Sequence, residues 1–165
     1  LSVQHLYKLT TRLTMYMANT KKKYYSWQNI ENMTLNLCDQ VKDLNIDYII
    51  ALARGGCVPG VTMSHNLDIP MIPIKLSTRD HPESLIPEFA VGEPGKEYNF
   101  LVVDDINDTG KTYKQIKKIL TKKSIKNVKY AVLIDNEPSK FKVDYYVEKI
   151  NKAKKPCWIV YPWEV

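Results

Sequence analysis

The stretch 102–112, which reads VVDDINDTGKT, constrains the fold more than any other part of the chain. Apolar residues lead into two acids, and a turn containing Gly110 then opens a segment with helical spacing. A buried strand that feeds a helix through a polar loop is typical of parallel α/β sheets, which bind ligands at the carboxyl ends of their strands. Backbone N–H groups at the start of such a helix can converge on a phosphate, and Gly110 lets the backbone approach closely. We therefore predict a phosphate-binding strand, loop and helix.

The same alternation of strand and helix recurs along the chain. An apolar stripe predicts a helix over residues 27–44 that Ser26 can cap, and Pro59 suits the first turn of a second helix, 58–67. Short apolar runs predict strands at 47–53, 71–76, 100–103 and 128–134, with two further candidates at 145–147 and 158–161. We expect an α/β fold with a mainly parallel sheet flanked by helices.

With 165 residues, the chain is the size of one domain. We expect residues 1–23 to form a helical N-terminal extension, in view of its alternating apolar residues, and 24–165 to form the domain itself. Prolines, glycines and mixed charges over 77–99 predict a long loop or an irregular hairpin, which could act as a hood over a site.

Composition narrows the functional classes. No apolar run approaches the roughly 18 residues that a membrane helix needs, and three widely spaced cysteines suit a reducing cytoplasm. The net charge of +6 raises the question of nucleic acid, but only three of the 24 basic residues are arginines, which bind phosphates and guanines in bidentate fashion. We favour a generic lysine-rich surface over a nucleic-acid site, and the same charge would attract a small polyanionic substrate.

Asp104 and Asp105 are adjacent carboxylates at the end of the apolar run. They would repel each other unless hydroxyl groups or a divalent cation such as Mg²⁺ met them; a solvated acidic turn before a capped helix is the simpler structural alternative. A P-loop is excluded because its first glycine would have to replace Asp105. Arg54 and Gly55 end another predicted strand, either as a second phosphate grip or as an ordinary glycine turn.

These motifs resemble the type I phosphoribosyltransferases, whose signature is an apolar strand, two acids, a short spacer and DTG[KG]T. The resemblance extends to the segments IIALARGGCVPG, DYYVEK and WIVYPWE, and these are similar to the small purine-salvage branch that uses xanthine, guanine or hypoxanthine. It covers residues 24–165.

The resemblance implies that the substrate is phosphoribosyl pyrophosphate (PRPP), with Mg²⁺ bridging its pyrophosphate and ribose. Its ribose would meet Asp104 and Asp105, and its pyrophosphate would meet Arg54 and Gly55 after a cis Ala53–Arg54 peptide. Asp108 would act as the general base toward purine N7. The 5-phosphate would lie on five consecutive residues, Asp108, Thr109, Gly110, Lys111 and Thr112.

The base site is implied less directly. Trp158 and Ile159 match a pair near the carboxyl terminus whose aromatic ring stacks on the base, although Trp158 and Trp163 could also be core aromatics. The branch uses a lysine to contact the purine 6-oxo group, and aligning the segment DNEPSKF puts Asn136 at that position. An amide both donates and accepts hydrogen bonds, so adenine-like or altered bases become possible.

The resulting hypothesis is a cytoplasmic enzyme that transfers a phosphoribosyl group to a nucleobase, most simply a purine. Relatives in this family are usually dimers or tetramers, so we expect a homo-oligomer. The alternative is a catalytically weak, PRPP-sensing regulatory protein that binds nucleic acid through its lysines. Retention of Asp104, Asp105 and Asp108 favours the enzyme, because a sensor needs the phosphate cradle but not a general base.

Overall fold

The computed structural model of the chain describes residues 21–76 and 97–164. Its helices are α1 (Trp27–Val41), α2 (Cys57–Leu67) and α3 (Lys111–Lys122). Its strands are β1 (Lys21–Tyr24), β2 (Tyr48–Ala53), β3 (Met71–Lys75), β4 (Phe100–Asn107), β5 (Val128–Asn136), β6 (Tyr145–Ile150) and β7 (Cys157–Val160). The predicted elements within the described ranges are present, with ends that differ by a few residues.

Five of these strands form one parallel sheet in the order β3-β2-β4-β5-β6. Alternate residues of a strand point to opposite faces, so Val102 packs in one apolar cluster with Tyr113 and Ile116 of α3. Val103 packs in a second cluster with residues of α1 and α2 such as Leu37. Helices therefore cover both faces, and the predicted fold class is confirmed.

Helix α1 begins at a capping box. The Ser26 hydroxyl accepts a hydrogen bond from the Asn29 N–H, and the Asn29 side chain accepts one from the Ser26 N–H. The predicted cap is thus correct, but the helix ends at Val41 rather than at residue 44. Trp27 does not join the buried stripe, because its side chain is 58% exposed at the first turn.

Strands β1 and β7 form a separate two-stranded parallel sheet, with Lys22 opposite Trp158. Residues 21–23 are therefore strand rather than part of a helix. Residues 21–24 form a strand because they pair with β7. The spacing of neighbouring residues does not reveal a partner so far along the chain. The expectations for residues 1–20 and for 77–96 lie outside the described residues. Within 21–76 and 97–164, no helix has the length and apolar character needed to cross a membrane.

Candidate active site

The motif residues lie at the carboxyl edge of the parallel sheet, where β2, β4 and β5 end side by side. Strand β4 runs through Asn107, four residues beyond the apolar run that predicted it. Asp104 and Asp105 are therefore strand residues rather than loop residues. Because β5 also continues to Asn136, polar groups from both strands meet at this edge.

The predicted phosphate cradle is a tight turn followed by a helix N-terminus. Asp108 and Thr109 follow β4 directly, Gly110 has φ +79°, and α3 begins at Lys111. The side chains of Lys111 and Thr112 are exposed at this terminus. First-turn N–H groups have no partner within their helix and lie at the positive end of the helix dipole, so this arrangement suits an anionic phosphate.

Replacing Gly110 by alanine is expected to destabilise the protein by about 1–3 kcal/mol from backbone strain alone. A Cβ at Gly110 would also lie 2.6 Å from the backbone nitrogen of Phe141, and backbone atoms cannot move aside as cheaply as a side chain. The free energy of unfolding in urea would measure the loss. Gly110→Asn separates the two causes, since asparagine tolerates positive φ but introduces the same Cβ. A Gly110→Ala protein with unchanged stability would contradict the geometry of the turn.

A buried hydrogen-bond network holds the cradle in place. The Asn107 amide group donates to the Asp135 carboxylate at 2.7 Å and to the Phe141 carbonyl at 2.9 Å. Its oxygen accepts a hydrogen bond from the Ser139 hydroxyl at 2.8 Å. These contacts bring the turn 139–141 against Gly110. Sequence reasoning missed Asn107 and Asp135, and their only signal was a polar residue at the end of each apolar strand.

The paired acids are largely removed from solvent. Burial, followed by the charge of Asp105, raises the pKa of the Asp104 carboxyl well above its ordinary value. Burial is also the main cause that raises the pKa of Asp105, to about 6. The Asp105 N–H donates to a carboxylate oxygen of Asp104 at 3.0 Å. Ionisation of both neighbouring carboxyl groups is unfavourable in the free protein. A ligand that supplies hydroxyl donors or positive charge would therefore bind favourably beside them.

Asp104 and Asp105 suit Mg²⁺ if other groups complete its coordination shell. The described residues contain no group of three or more acidic, histidine or cysteine side chains placed to hold a metal. Mg²⁺ commonly binds through one or two carboxylates and completes its shell with waters and substrate phosphates. Asp104 and Asp105 could therefore hold the ion together with a phosphorylated substrate.

The loop after β2 lies against these acids. The Ala53–Arg54 peptide bond is cis, as the resemblance implies. A Cβ on Gly55 would come within 2.2 Å of a carboxylate oxygen of Asp105, so the absence of a side chain lets this loop and the acid pack together. The Arg54 side chain is exposed at the same edge. The structure thus brings Gly55, predicted to meet pyrophosphate, against Asp105, predicted to meet ribose.

Asp108 is held by two residues from other elements. The Asn136 amide nitrogen donates to the Asp108 carbonyl at 3.0 Å and to a carboxylate oxygen at 3.1 Å. The Lys152 ammonium forms an ion pair with the other carboxylate oxygen at 3.1 Å. The Asn136 amide oxygen accepts a hydrogen bond from the Lys152 backbone N–H at 3.0 Å. Asn136, predicted as a base contact, thus joins Asp108 to Lys152, a residue that sequence reasoning missed.

The aromatic residues near the carboxyl terminus differ in environment. Trp158 is 49% exposed, so part of its ring is open to a ligand, whereas Ile159 is buried in the core cluster beneath the sheet. The Ile159 side chain is therefore occupied by packing. Trp163 stacks on Tyr161 with ring centroids 4.6 Å apart, in keeping with its interpretation as a packing residue.

The fold and this edge define an α/β protein whose polar residues gather at the carboxyl ends of parallel strands, an arrangement that suits a phosphorylated ligand. Comparison with known proteins makes the class specific: the phosphoribosyl transferase domain family matches residues 21–165. The chain belongs to this family. The enzyme class predicted from the motifs is therefore confirmed.

Individual relatives agree in length and fold. The xanthine-guanine phosphoribosyltransferase of Idiomarina loihiensis is 30% identical over 154 residues, which cover 89% of each chain. The purine phosphoribosyltransferase of Pyrococcus horikoshii has a solved structure with a TM-score of 0.72 and 30% identity, covering 87% of this chain and 95% of that one. A xanthine-guanine-hypoxanthine phosphoribosyltransferase of Helicobacter pylori shares the fold, with a TM-score of 0.72, 22% identity, and 89% and 95% of the chains covered.

Proposed function

We propose that the protein transfers the phosphoribosyl group from PRPP to a purine base and releases pyrophosphate. The observation that carries this proposal is the continuous edge from Asp104 to Thr112, where buried acids, a carboxylate and a helix N-terminus follow one another. Relatives named for xanthine-guanine and purine phosphoribosyl transfer support a purine as the acceptor.

The parts of PRPP would meet the residues in order along this edge. The 5-phosphate would bind the N–H groups and hydroxyls of residues 108–112, at the positive end of α3. The ribose hydroxyls would donate to Asp104 and Asp105, and Arg54 with the Gly55 backbone would bind pyrophosphate. Mg²⁺, when bound with the substrate, would neutralise charge on the leaving pyrophosphate.

Catalysis would then be mainly electrostatic. As the bond between ribose and pyrophosphate breaks, positive charge develops on the sugar, and the carboxylates of Asp104 and Asp105 would stabilise it. The purine forms its new bond through N9 and loses a proton from N7. The Asp108 carboxylate would accept this proton as the general base.

Incubating the protein with PRPP, Mg²⁺ and hypoxanthine, guanine, xanthine or adenine tests the proposal. We expect base-dependent pyrophosphate release, one equivalent of nucleoside 5'-monophosphate for each pyrophosphate, and loss of turnover when EDTA removes the metal. Omitting the base gives the control for simple hydrolysis of PRPP. No pyrophosphate release with any of the four bases would overturn the proposed reaction.

A second candidate, a PRPP sensor that binds nucleic acid, is favoured by one observation. A cavity of about 650 Å³ between β1, β7 and the end of β6 is lined by six lysines, at positions 21, 22, 23, 149, 154 and 155. Titration with a labelled RNA at several salt concentrations would identify this function. Steeply salt-dependent binding together with no turnover would favour the sensor over the enzyme.

We also infer that the protein works in the cytoplasm as a homo-oligomer, either a dimer or a tetramer, as the resemblance implies. All three cysteines, Cys38, Cys57 and Cys157, are free thiols, which suits a reducing compartment. Light scattering coupled to size-exclusion chromatography would give the mass, for which a 19.1 kDa monomer is the contrary result.

A further inference from the structure

The cavity between β1, β7 and the end of β6 concentrates positive charge. Its volume of about 650 Å³ lies within the range of small-molecule sites, roughly 300–1,000 Å³. The charged side chains among the described residues that line it are one glutamate, Glu137, and six lysines, at positions 21, 22, 23, 149, 154 and 155. Six positive charges less one negative charge leave a net charge of +5 on this lining.

Little of this charge is neutralised by neighbouring acids. Lys23 forms an ion pair with Glu148, which does not belong to the lining. Within residues 21–76 and 97–164, no ion pair joins the other five lysines to a carboxylate. A hydrogen bond from the Asn151 side chain, followed by the charge of Lys154, lowers the pKa of the Glu137 carboxyl below its ordinary value. The lysines repel one another, so a ligand with several negative charges would relieve this repulsion.

We propose that this cavity is a second ligand site, separate from the candidate active site, and that it binds a small anion carrying a chain of phosphate groups. The proposal goes beyond phosphoribosyl transfer and does not depend on it. A phosphate chain places several negative charges within a short distance, which matches a cluster of cations around one cavity. Lysine suits such a ligand, because its ammonium is a compact charge with three donors and needs no planar bidentate partner.

The cavity lies on a different side of the chain from the active-site edge. Asn136 and Lys152 both contact Asp108, and neither is among the described residues that line the cavity. Their neighbours in sequence, Glu137 and Asn151, line it instead. Successive residues of an extended chain point to opposite sides, which explains the change between positions 136 and 137. An anion in the cavity would therefore leave the predicted phosphate cradle open.

The loop that carries two of the lysines is shaped by its own hydrogen bonds. The side-chain oxygen of Asn151 accepts from the N–H groups of Ala153 at 3.1 Å and Lys154 at 3.0 Å. Its backbone carbonyl accepts from the Lys155 N–H at 2.9 Å, and its amide nitrogen donates to Glu137 at 2.6 Å. The backbone that presents Lys154 and Lys155 is thus ordered without a ligand, which lowers the entropy that binding must cost.

The rest of the lining favours a small anion over a nucleic-acid strand. Sites for single-stranded nucleic acid combine basic grooves with aromatic side chains on which bases stack. The described lining contains no aromatic residue, and its apolar part consists of Ile150, Pro156 and Cys157. Two sources of a phosphate chain remain, inorganic polyphosphate and a nucleotide, and a nucleotide could also place its base on this apolar part.

Calorimetry with the full chain tests the proposal, using tripolyphosphate and ATP as separate probes in EDTA. We expect saturable binding to wild type and a dissociation constant raised at least about tenfold in the cavity variant, Lys22→Gln with Lys155→Gln, because each lysine supplies a charged hydrogen-bond donor. Lys21→Gln with Lys154→Gln should behave alike. The control, Lys118→Gln with Lys126→Gln, removes the same charge from exposed positions on and after α3 and should change the constant by less than about threefold.

Hydrogen exchange measured by mass spectrometry locates the bound anion. Slower exchange over residues 151–157 supports the site, whereas protection confined to 104–112 places the anion in the cradle and overturns the proposal. Equal weakening in the cavity variant and the control also overturns it, since this would show only an effect of net charge.

The two probes distinguish the sources of the phosphate chain. Tighter binding of ATP supports a nucleotide, and equal or tighter binding of tripolyphosphate supports an inorganic chain. Saturable binding of neither probe rejects the site. If a labelled single-stranded RNA binds instead, and the cavity variant weakens it, the cavity belongs to nucleic acid and the small-anion proposal is wrong.

Discussion

Replacing Asp108 by asparagine is expected to lower kcat by about 10²- to 10⁴-fold while the dissociation constant of PRPP changes by less than about threefold. The amide cannot accept the N7 proton, so the general-base step is lost. Asparagine keeps the size of the side chain and an oxygen that can still accept the Asn136 N–H. The backbone N–H groups of the cradle are unaltered, and these would hold the 5-phosphate.

Single-turnover kinetics and calorimetry with PRPP would measure the two quantities independently. Glu137→Gln is the matched control, because Glu137 is an exposed carboxylate one residue beyond β5, and we expect both quantities to stay near wild type. If Asp108→Asn weakens PRPP binding as much as it lowers turnover, Asp108 serves the cradle and another group must take the proton.

The cradle could be predicted from the sequence because all of its parts are local. The strand, the acids, the glycine turn and the helix follow one another within 102–112, and the periodic apolar residues of α3 are buried as their spacing indicates. Local spacing also gave the correct cap for α1. Such features depend on residues a few positions apart, which a single sequence displays directly.

The contacts that complete the site could not be predicted, because they join distant residues. Lys152 meets Asp108 across 44 positions, and Gly55 meets Asp105 across 50. The ends of β4 and β5 were also missed. Their last residues are polar, and Asn107 and Asp135 can be buried because hydrogen bonds, including one between them, satisfy their polar groups. Strands predicted from continuous apolar residues therefore end before these hydrogen-bonded polar residues, although the observed strands include them.

Replacing Asp105 by asparagine is expected to increase stability and abolish most of the activity. The neutral amide removes a carboxylate that would face ribose and the developing sugar charge. We expect kcat/KM for PRPP to fall by about 10²- to 10³-fold, the usual scale for losing one preorganised electrostatic contact. The same change removes a carboxylate whose ionisation is unfavourable in the folded protein, because burial raises its pKa.

The stability effect should depend on pH in a defined direction. The pKa of Asp105 in the folded protein is raised to about 6 by burial, above the ordinary value of 3.8 that it recovers on unfolding. Between these two pH values the folded state binds more protons than the unfolded state, so the free energy of unfolding falls as pH rises. At pH 7.5 Asp105→Asn should therefore be more stable than wild type by about 1–3 kcal/mol, and near pH 4 the difference should vanish.

Urea unfolding at pH 4 and pH 7.5, in EDTA so that no metal offsets the charge, would measure the difference. Asp39→Asn provides the control, since this exposed carboxylate on α1 should change stability by less than about 0.5 kcal/mol at either pH. A destabilised Asp105→Asn protein at pH 7.5 would mean that the ionised carboxylate is needed for folding. The expected result instead separates the two properties. The acid that lowers the stability of the free protein is the one proposed to meet PRPP and Mg²⁺, so on that proposal the ligand should stabilise wild type more than the variant.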